Sequence, residues 1–322
     1  MVGRPKTDRH PDPSRDNLRA MRQDARPVVA VSSQAHHSRR RFFPNSPLPC
    51  SLETLVMSDS VTPVAIITGG SAGLGRVVAE RFLSDGYHVW IVGRDQTKLD
   101  AVIKQVSNER INSISADLSS PAEVAQMIST VQSQSGRLDV LVNCVGASDR
   151  GLIADLEPET LVSLVNQNVT TSLLCCQAAL PMLEESGGVI VNIGSLAAKV
   201  GARYIGGYAA AKHALAGMTQ QMRLELKPKG VHVGLVNPGP IRRDDAGDRY
   251  NEKTAGLPDQ ASKPGGGTRV KGLPPEKVAA AIMKCVKKRK PDIVLPGYLR
   301  ILIAVGHASP RLGDWLLLKL TS

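Results

Sequence analysis

Val64-Ala-Ile-Ile-Thr68 is apolar at nearly every position and runs straight into Gly69-Gly-Ser-Ala-Gly73-Leu-Gly75, after which Arg76 to Ser84 reads as a helix. A strand without alternation is one buried on both faces, as in a parallel sheet layered between helices. Six further short runs follow: His88–Val92, Ile111–Ala116, Asp139–Asn143, Val189–Ile193, Val231–Val236 and Asp292–Leu295. Helix-period sequence such as Pro121 to Ser133 lies between them. Alternation of this kind predicts a single α/β domain, doubly wound, with a seven-stranded parallel sheet of Rossmann type.

The glycine turn carries the first chemical reading. Glycines let the backbone turn tightly and approach a pyrophosphate, and free N–H groups at a helix start complement negative charge. Thr68, Gly69, Ser71, Gly73, Leu74 and Gly75 are therefore candidate cofactor-binding residues. The second strand ends in Gly93-Arg94-Asp95, where the ribose of a dinucleotide would lie. An arginine there suits a 2′-phosphate, so Arg94 favours NADP(H), while the neighbouring Asp95 keeps NAD(H) as an alternative. Asp117 and Leu118 end the third strand, at the place for an adenine edge.

A second constellation follows the fifth strand. Ser195 stands just past Ile193, and Tyr208 and Lys212 are four apart at the start of an Ala-rich helix, on one face of it. An ammonium one turn away favours the phenolate and lowers the phenol pKa, so that Tyr208 can exchange a proton with an alcohol or carbonyl oxygen. Ser195 donates a hydrogen bond to that oxygen as charge develops. These residues suit proton transfer rather than nucleophilic attack.

The net charge of +11 suggests nucleic acid until it is located. Residues 1 to 56 hold ten Lys/Arg and five Asp/Glu, and the rest of the excess is spread over more than 260 residues, so no nucleic-acid partner is expected. The opening segment has no apolar core long enough for a signal peptide. Met57 reads as a natural start just ahead of the first strand, which would leave residues 1 to 56 disordered or not made. Five cysteines, without a C-x-x-C pair or a histidine cluster, suggest neither a disulfide framework nor a metal site, and point to reduced thiols in a cytoplasmic protein.

Taken together, the motifs resemble the classical short-chain dehydrogenase/reductase family from about Val64 to Leu295. The family's T-G-x-x-x-G-x-G stands as Thr68 to Gly75 and its N-N-A-G as Asn143-Cys144-Val145-Gly146. Its Tyr-x-x-x-Lys stands as Tyr208 to Lys212, with a serine thirteen residues earlier at Ser195. The resemblance implies contacts of Asn143, Val145 and Gly146 with the cofactor, and a hydrogen bond from Lys212 to the nicotinamide ribose. It adds Asn168, a better match than Asn166, as anchor of a proton-relay water. The family's P-G-x-x-x-T becomes Pro238-Gly239-Pro240-Ile241-Arg242-Arg243, so an arginine replaces the hydroxyl, and contact to the carboxamide falls to backbone near Pro238, Gly239 and Ile241. Arg242 and Arg243 then face an anionic substrate, a cofactor phosphate or solvent. A homodimer or homotetramer is also implied.

Within residues 57–297, the span 242–273 lacks periodicity and reads as a substrate lid. Residues 298–322 hold two apolar stretches split by Ser309-Pro310, each too short to span a membrane. They read as short helices that close a cavity, pack on a neighbouring subunit or lie weakly on a membrane surface. The reading is an NADP(H)-preferring oxidoreductase that interconverts a small-molecule carbonyl and a secondary alcohol, with a hydrophobic or lipid-like substrate. Tyr208, Ser195, Lys212 and Asn168 form its catalytic set. An epimerase or dehydratase on the same cofactor, and a non-catalytic NADP(H) sensor, are the alternatives.

Overall fold

Each of the seven apolar runs becomes a strand, all parallel, in a single sheet. The strands are β1 (Val64–Thr68), β2 (His88–Gly93), β3 (Ile111–Ser115), β4 (Val140–Asn143), β5 (Val189–Ile193), β6 (His232–Pro238) and β7 (Asp292–Leu295), ordered β3-β2-β1-β4-β5-β6-β7. The computed structural model describes residues 62–243, 250, 254 and 256–321. The expectations for residues 1–56 and for Met57 lie outside the described residues, as does part of the span read as a lid.

Successive strand residues point to opposite faces, and each face has its helix layer. Ala65, Ile67, Val89 and Ile91 pack with Phe82 of α1 (Gly73–Ser84), Leu99 of α2 (Gln96–Val106) and Ile282 of the later helix Pro275–Lys288. Val64, Ile66, Trp90 and Leu141 pack on the other side with Met127 of α3 (Pro121–Ser135) and with Cys176 and Leu183 of α5 (Thr171–Ser186). Between α3 and α5 lies α4 (Pro158–Val165), and α6 (Tyr208–Leu226) precedes β6. After β6 come the one-turn α7 (Pro264–Gly267), α8 (Pro275–Lys288) and, beyond β7, α9 (Leu299–Ala308) and α10 (Pro310–Leu320).

The sequence reads as a helix from Thr160 to Leu183, with Asn168 a candidate for bending it. The structure inserts a π-turn at Asn166–Thr170 between α4 and α5. Side chains take the carbonyls there: Asn168 Nδ2 donates to Leu164 O (2.8 Å), Thr171 Oγ1 to Gln167 O (3.0 Å) and Ser172 Oγ to Asn168 O (3.3 Å). Competition of this kind at i−4 loosens an α-helix into a wider turn.

At the carboxyl edge of the sheet the apolar runs give way to a polar rung. Thr68, Asn143 and Asn192 are register partners across β1, β4 and β5. Asn143 Nδ2 donates to Asn192 Oδ1 at 2.9 Å, and Asn192 Nδ2 to Thr219 Oγ1 of α6 at 2.9 Å. Thr68 Oγ1 accepts from Cys144 N at 3.0 Å and Val145 N at 3.3 Å, which fixes the chain leaving β4. Asn192 is wholly buried, so removing it strands its partners away from water. Asn192→Leu is expected to lower the unfolding free energy by about 1–3 kcal/mol, as urea titration would measure.

Candidate functional site

Above the polar rung, the loops leaving β1, β4, β5 and β6 meet at the carboxyl ends of the strands, where open α/β sheets bind ligands. The turn after β1 is built to its limits. A Cβ on Gly75 would lie 2.2 Å from Gly69 O, and one on Gly70 2.6 Å from Ile91 Cβ. Gly69 and Gly73 have φ of +69° and +52°, in the left-handed region. The first turn of α1 has no side-chain cap, so its N–H groups are offered to a ligand. The donors and the closeness of approach fit a dinucleotide pyrophosphate. Gly75→Ala is expected to weaken nucleotide binding about tenfold or more by fluorescence titration, with the far-UV circular dichroism unchanged.

At the end of β2, Arg94 and Asp95 are both exposed, and they are not equivalent. Asp95 caps α2, accepting from Lys98 N at 3.1 Å, and pairs with Lys98 Nζ at 3.3 Å, which holds its carboxyl below the ordinary range. Asp117 accepts from Ser119 N (3.0 Å) and Ser119 Oγ (2.8 Å), contacts that lower its pKa, as Arg94 does from across the gap. Leu118 beside it is buried. Ser71, near Gly93, closes this end.

The structure brings Ser195, Tyr208, Lys212 and Asn168 to one cavity. Ser195 Oγ accepts from Ala197 N at 3.1 Å. Lys212 is 5% exposed and donates to Ile193 O at 2.8 Å, with Nζ 5.8 Å from the Tyr208 ring centroid. Asn168 is fully buried whereas Asn166 is exposed. Asn168 Nδ2 donates to Ala147 O at 2.9 Å, and its buried Oδ1 has no protein partner. A Cβ on Gly146 would sit 2.6 Å from that Oδ1 and 3.4 Å from Lys212 Nζ, so the two groups flank one point.

One expectation is revised. Burial raises the Tyr208 phenol above its usual value near 10; the opposing influences are the Ser195 hydroxyl and the positive fields of Arg150 and Arg243, while Tyr250 adds to the rise. Lys212 donates to Ile193 O, and burial brings its own pKa down to about 8. The sign of the linkage follows: between about 8 and 10.5 the unfolded chain holds the Lys212 proton more often than the native chain. Stability therefore rises with pH across that window. Relative to Lys212→Met, the wild type should gain about 3 kcal/mol from pH 8 to 10.5 in pH-resolved denaturant titrations.

Ser195, Tyr208, Lys212 and Asn168 line a cavity of about 670 Å³, together with Leu74, Cys144, Gly146, Pro238, Gly239 and Ile241. Backbone bonds from Arg242 N to Leu273 O (2.8 Å) and Leu273 N to Pro240 O (2.7 Å) close the 242–273 span upon itself, and its Pro264, Gly265, Thr268 and Val270 reach the cavity wall. Three residues of the chamber are not flagged by motif. Ser148 Oγ hydrogen-bonds Tyr250 OH at 2.5 Å, and the buried Arg150 guanidinium lies 3.9 Å from the Tyr250 ring centroid. Ser148 and Arg150 follow β4 directly, and that position at a strand's carboxyl end is the signal that could have found them. Arg243 also lines the cavity rather than facing only solvent. Opposite the polar chamber, α9 and α10 supply an apolar wall that includes Leu302, Ile303, Leu316 and Leu317.

A sequence profile described as short chain dehydrogenase matches residues 63–254. Dehydrogenase/reductase SDR family member 7B of Danio rerio is 31% identical over 250 residues, covering 73% of this chain and 77% of that protein. A 3alpha-hydroxysteroid dehydrogenase of Mediterraneibacter gnavus is 33% identical over 206 residues, covering 62% and 79%. The crystal structure of a short-chain dehydrogenase from Streptomyces avermitilis superposes with a TM-score of 0.65 at 27% identity, covering 80% of this chain and 98% of that one.

Proposed function

The chain belongs to the short-chain dehydrogenase family and is an NAD(P)-dependent oxidoreductase, and we propose that it uses NADP(H) to interconvert a carbonyl and a secondary alcohol on an apolar body. The observation that carries this reading is that Ser195, Tyr208, Lys212 and Asn168 border one cavity that also has an aliphatic wall. The bound nicotinamide supplies the hydride for reduction and accepts it in oxidation.

The residues do the rest. Tyr208, kept protonated by its buried setting, gives its proton to the substrate oxygen as negative charge grows there. Ser195 donates a second hydrogen bond to that oxygen and fixes its position. Lys212 would hold the nicotinamide ribose, and the unpartnered Asn168 Oδ1 beside it would anchor a water through which a proton returns to Tyr208. Thr68, Gly69, Ser71, Gly73, Leu74 and Gly75 would hold the pyrophosphate, while Asn143, Val145, Gly146, Pro238, Gly239 and Ile241 would border the nicotinamide half. Asp117 and Leu118 would border the adenine.

Preference for NADP(H) rests on Arg94, because the neighbouring carboxylate that would serve a 2′-hydroxyl is committed to capping α2. The aliphatic wall supports a hydrophobic substrate, and the name of the steroid dehydrogenase relative is in keeping with a bulky alicyclic alcohol. Val162 of α4 and Leu224 of α6, 59% and 66% exposed, support pairing of copies into a homodimer or homotetramer. Four unpaired cysteines among the described residues are in keeping with a cytoplasmic setting.

Tyr208→Phe is expected to leave NADPH titration unchanged and to lower ketone reduction by about 100- to 10,000-fold. Retained turnover would end the mechanism. Arg94→Ala should erode discrimination between NADPH and NADH by about tenfold to 100-fold in the same titration, through loss of a charge-assisted contact of roughly 1.5–3 kcal/mol.

A further inference from the structure

The two last helices have an apolar face too many. α9 and α10, 10 and 11 residues long, form a hairpin in which Gly306 and Gly313 touch; a Cβ on Gly313 would lie 2.8 Å from Gly306 Cα. One face, with Leu302, Ile303, Leu316 and Leu317, lines the catalytic cavity, which satisfies the usual need of a surface helix to bury one stripe. The opposite face is also apolar and lies open. Tyr298 is 61% exposed, Ile301 72%, Leu312 41% and Trp315 51%. Among the described residues, no helix is long and apolar enough to cross a membrane.

The charges on the hairpin choose among occupants. Arg300, Arg311 and Lys319 are exposed, and Lys319 Nζ stands 4.4 Å from the Trp315 ring centroid. The hairpin's single carboxylate, Asp314, is exposed and also borders the cavity, and the three basic side chains outnumber it. A second copy would meet this face isologously and bring like charges together, which costs binding energy. An anionic lipid surface offers the complementary charge, and an aromatic ring with a lysine beside it suits the boundary between headgroups and acyl chains.

We propose that the α9–α10 hairpin seats its outer face on an anionic lipid surface, and that the cavity behind it receives an apolar carbonyl or alcohol from that surface. The second half rests on the function proposed above. The helices then act as a thin partition, with lipid on one side and the catalytic chamber on the other.

The test is flotation of the full chain with vesicles of phosphatidylcholine, with and without phosphatidylserine. Flotation is expected with phosphatidylserine and should weaken in its absence and at high salt. The double variant Ile301→Glu, Trp315→Glu should bind those vesicles about 100-fold more weakly. Neither residue lines the cavity, so the variant should bind NADPH and reduce a water-soluble ketone as the wild type does, yet reduce a long-chain ketone dissolved in the vesicles more slowly. Failure of the wild type to float overturns docking, and equal flotation of the variant overturns the assignment to this face. Concentration-dependent pairing in light scattering that the variant abolishes assigns the face to a second copy and overturns the proposal. Flotation without turnover of either ketone leaves the docking standing and removes the substrate half together with the reductase reading.

Discussion

An ammonium group does not enter a protein interior unless something there accepts its hydrogen bonds. Lys212 meets that condition through the carbonyl of Ile193, the last residue of β5, and burial still brings its pKa down to about 8. Much of the site's geometry depends on this contact. It ties the end of the fifth strand to the first turn of α6, and so sets the distance between Ser195, two residues beyond the strand, and Tyr208, one helical turn before the lysine. The neighbouring Asn143–Asn192–Thr219 chain of hydrogen bonds joins β4, β5 and α6 by a second route, fully buried. Ser195 and Tyr208 are thus both tied to the carboxyl end of the sheet.

The nucleotide end obeys a different constraint, one of volume. Gly70 and Gly75 have no room for a side chain because the backbone of the turn folds against itself and against β2. Closeness of this kind lets N–H groups reach a phosphate, and it places Thr68, whose hydroxyl receives the chain leaving β4, beneath both halves of the site. The cavity walls come from later segments: the span after β6, whose ends pair with each other, and the hairpin after β7.

Much of this is legible in the sequence, and the reason is local. Seven unalternating apolar runs separated by helix-period stretches leave few topologies open, and Thr68 to Gly75, Ser195, Tyr208 and Lys212 sit at spacings fixed by one turn or one helical face. What was not legible depends on contacts between distant residues. Ser148 and Tyr250 are 102 positions apart, and nothing in either neighbourhood announces the other. The π-turn at Asn166–Thr170 arises from three side chains choosing nearby carbonyls, which hydrophobic period does not report. The contact of Lys212 with Ile193 is likewise a matter of where the strand ends. In the C-terminal stretch the apolar residues are too many for a single stripe, so periodicity alone did not say which face turns inward.

Hydrogen bonds that fasten the hairpin include His307 to the Lys199 carbonyl at 2.8 Å, Arg269 N to the Leu320 carbonyl at 3.0 Å, and Arg203 to the Thr321 carbonyl at 2.9 Å. None of these involves the proton-transfer residues. The hairpin thus shapes the cavity wall from elements other than those that carry Ser195, Tyr208 and Lys212. Gly306 and Gly313 leave no slack between the helices. A substitution that tilts one helix to reshape the cavity wall also tilts the face it shows outside, so the two faces change together.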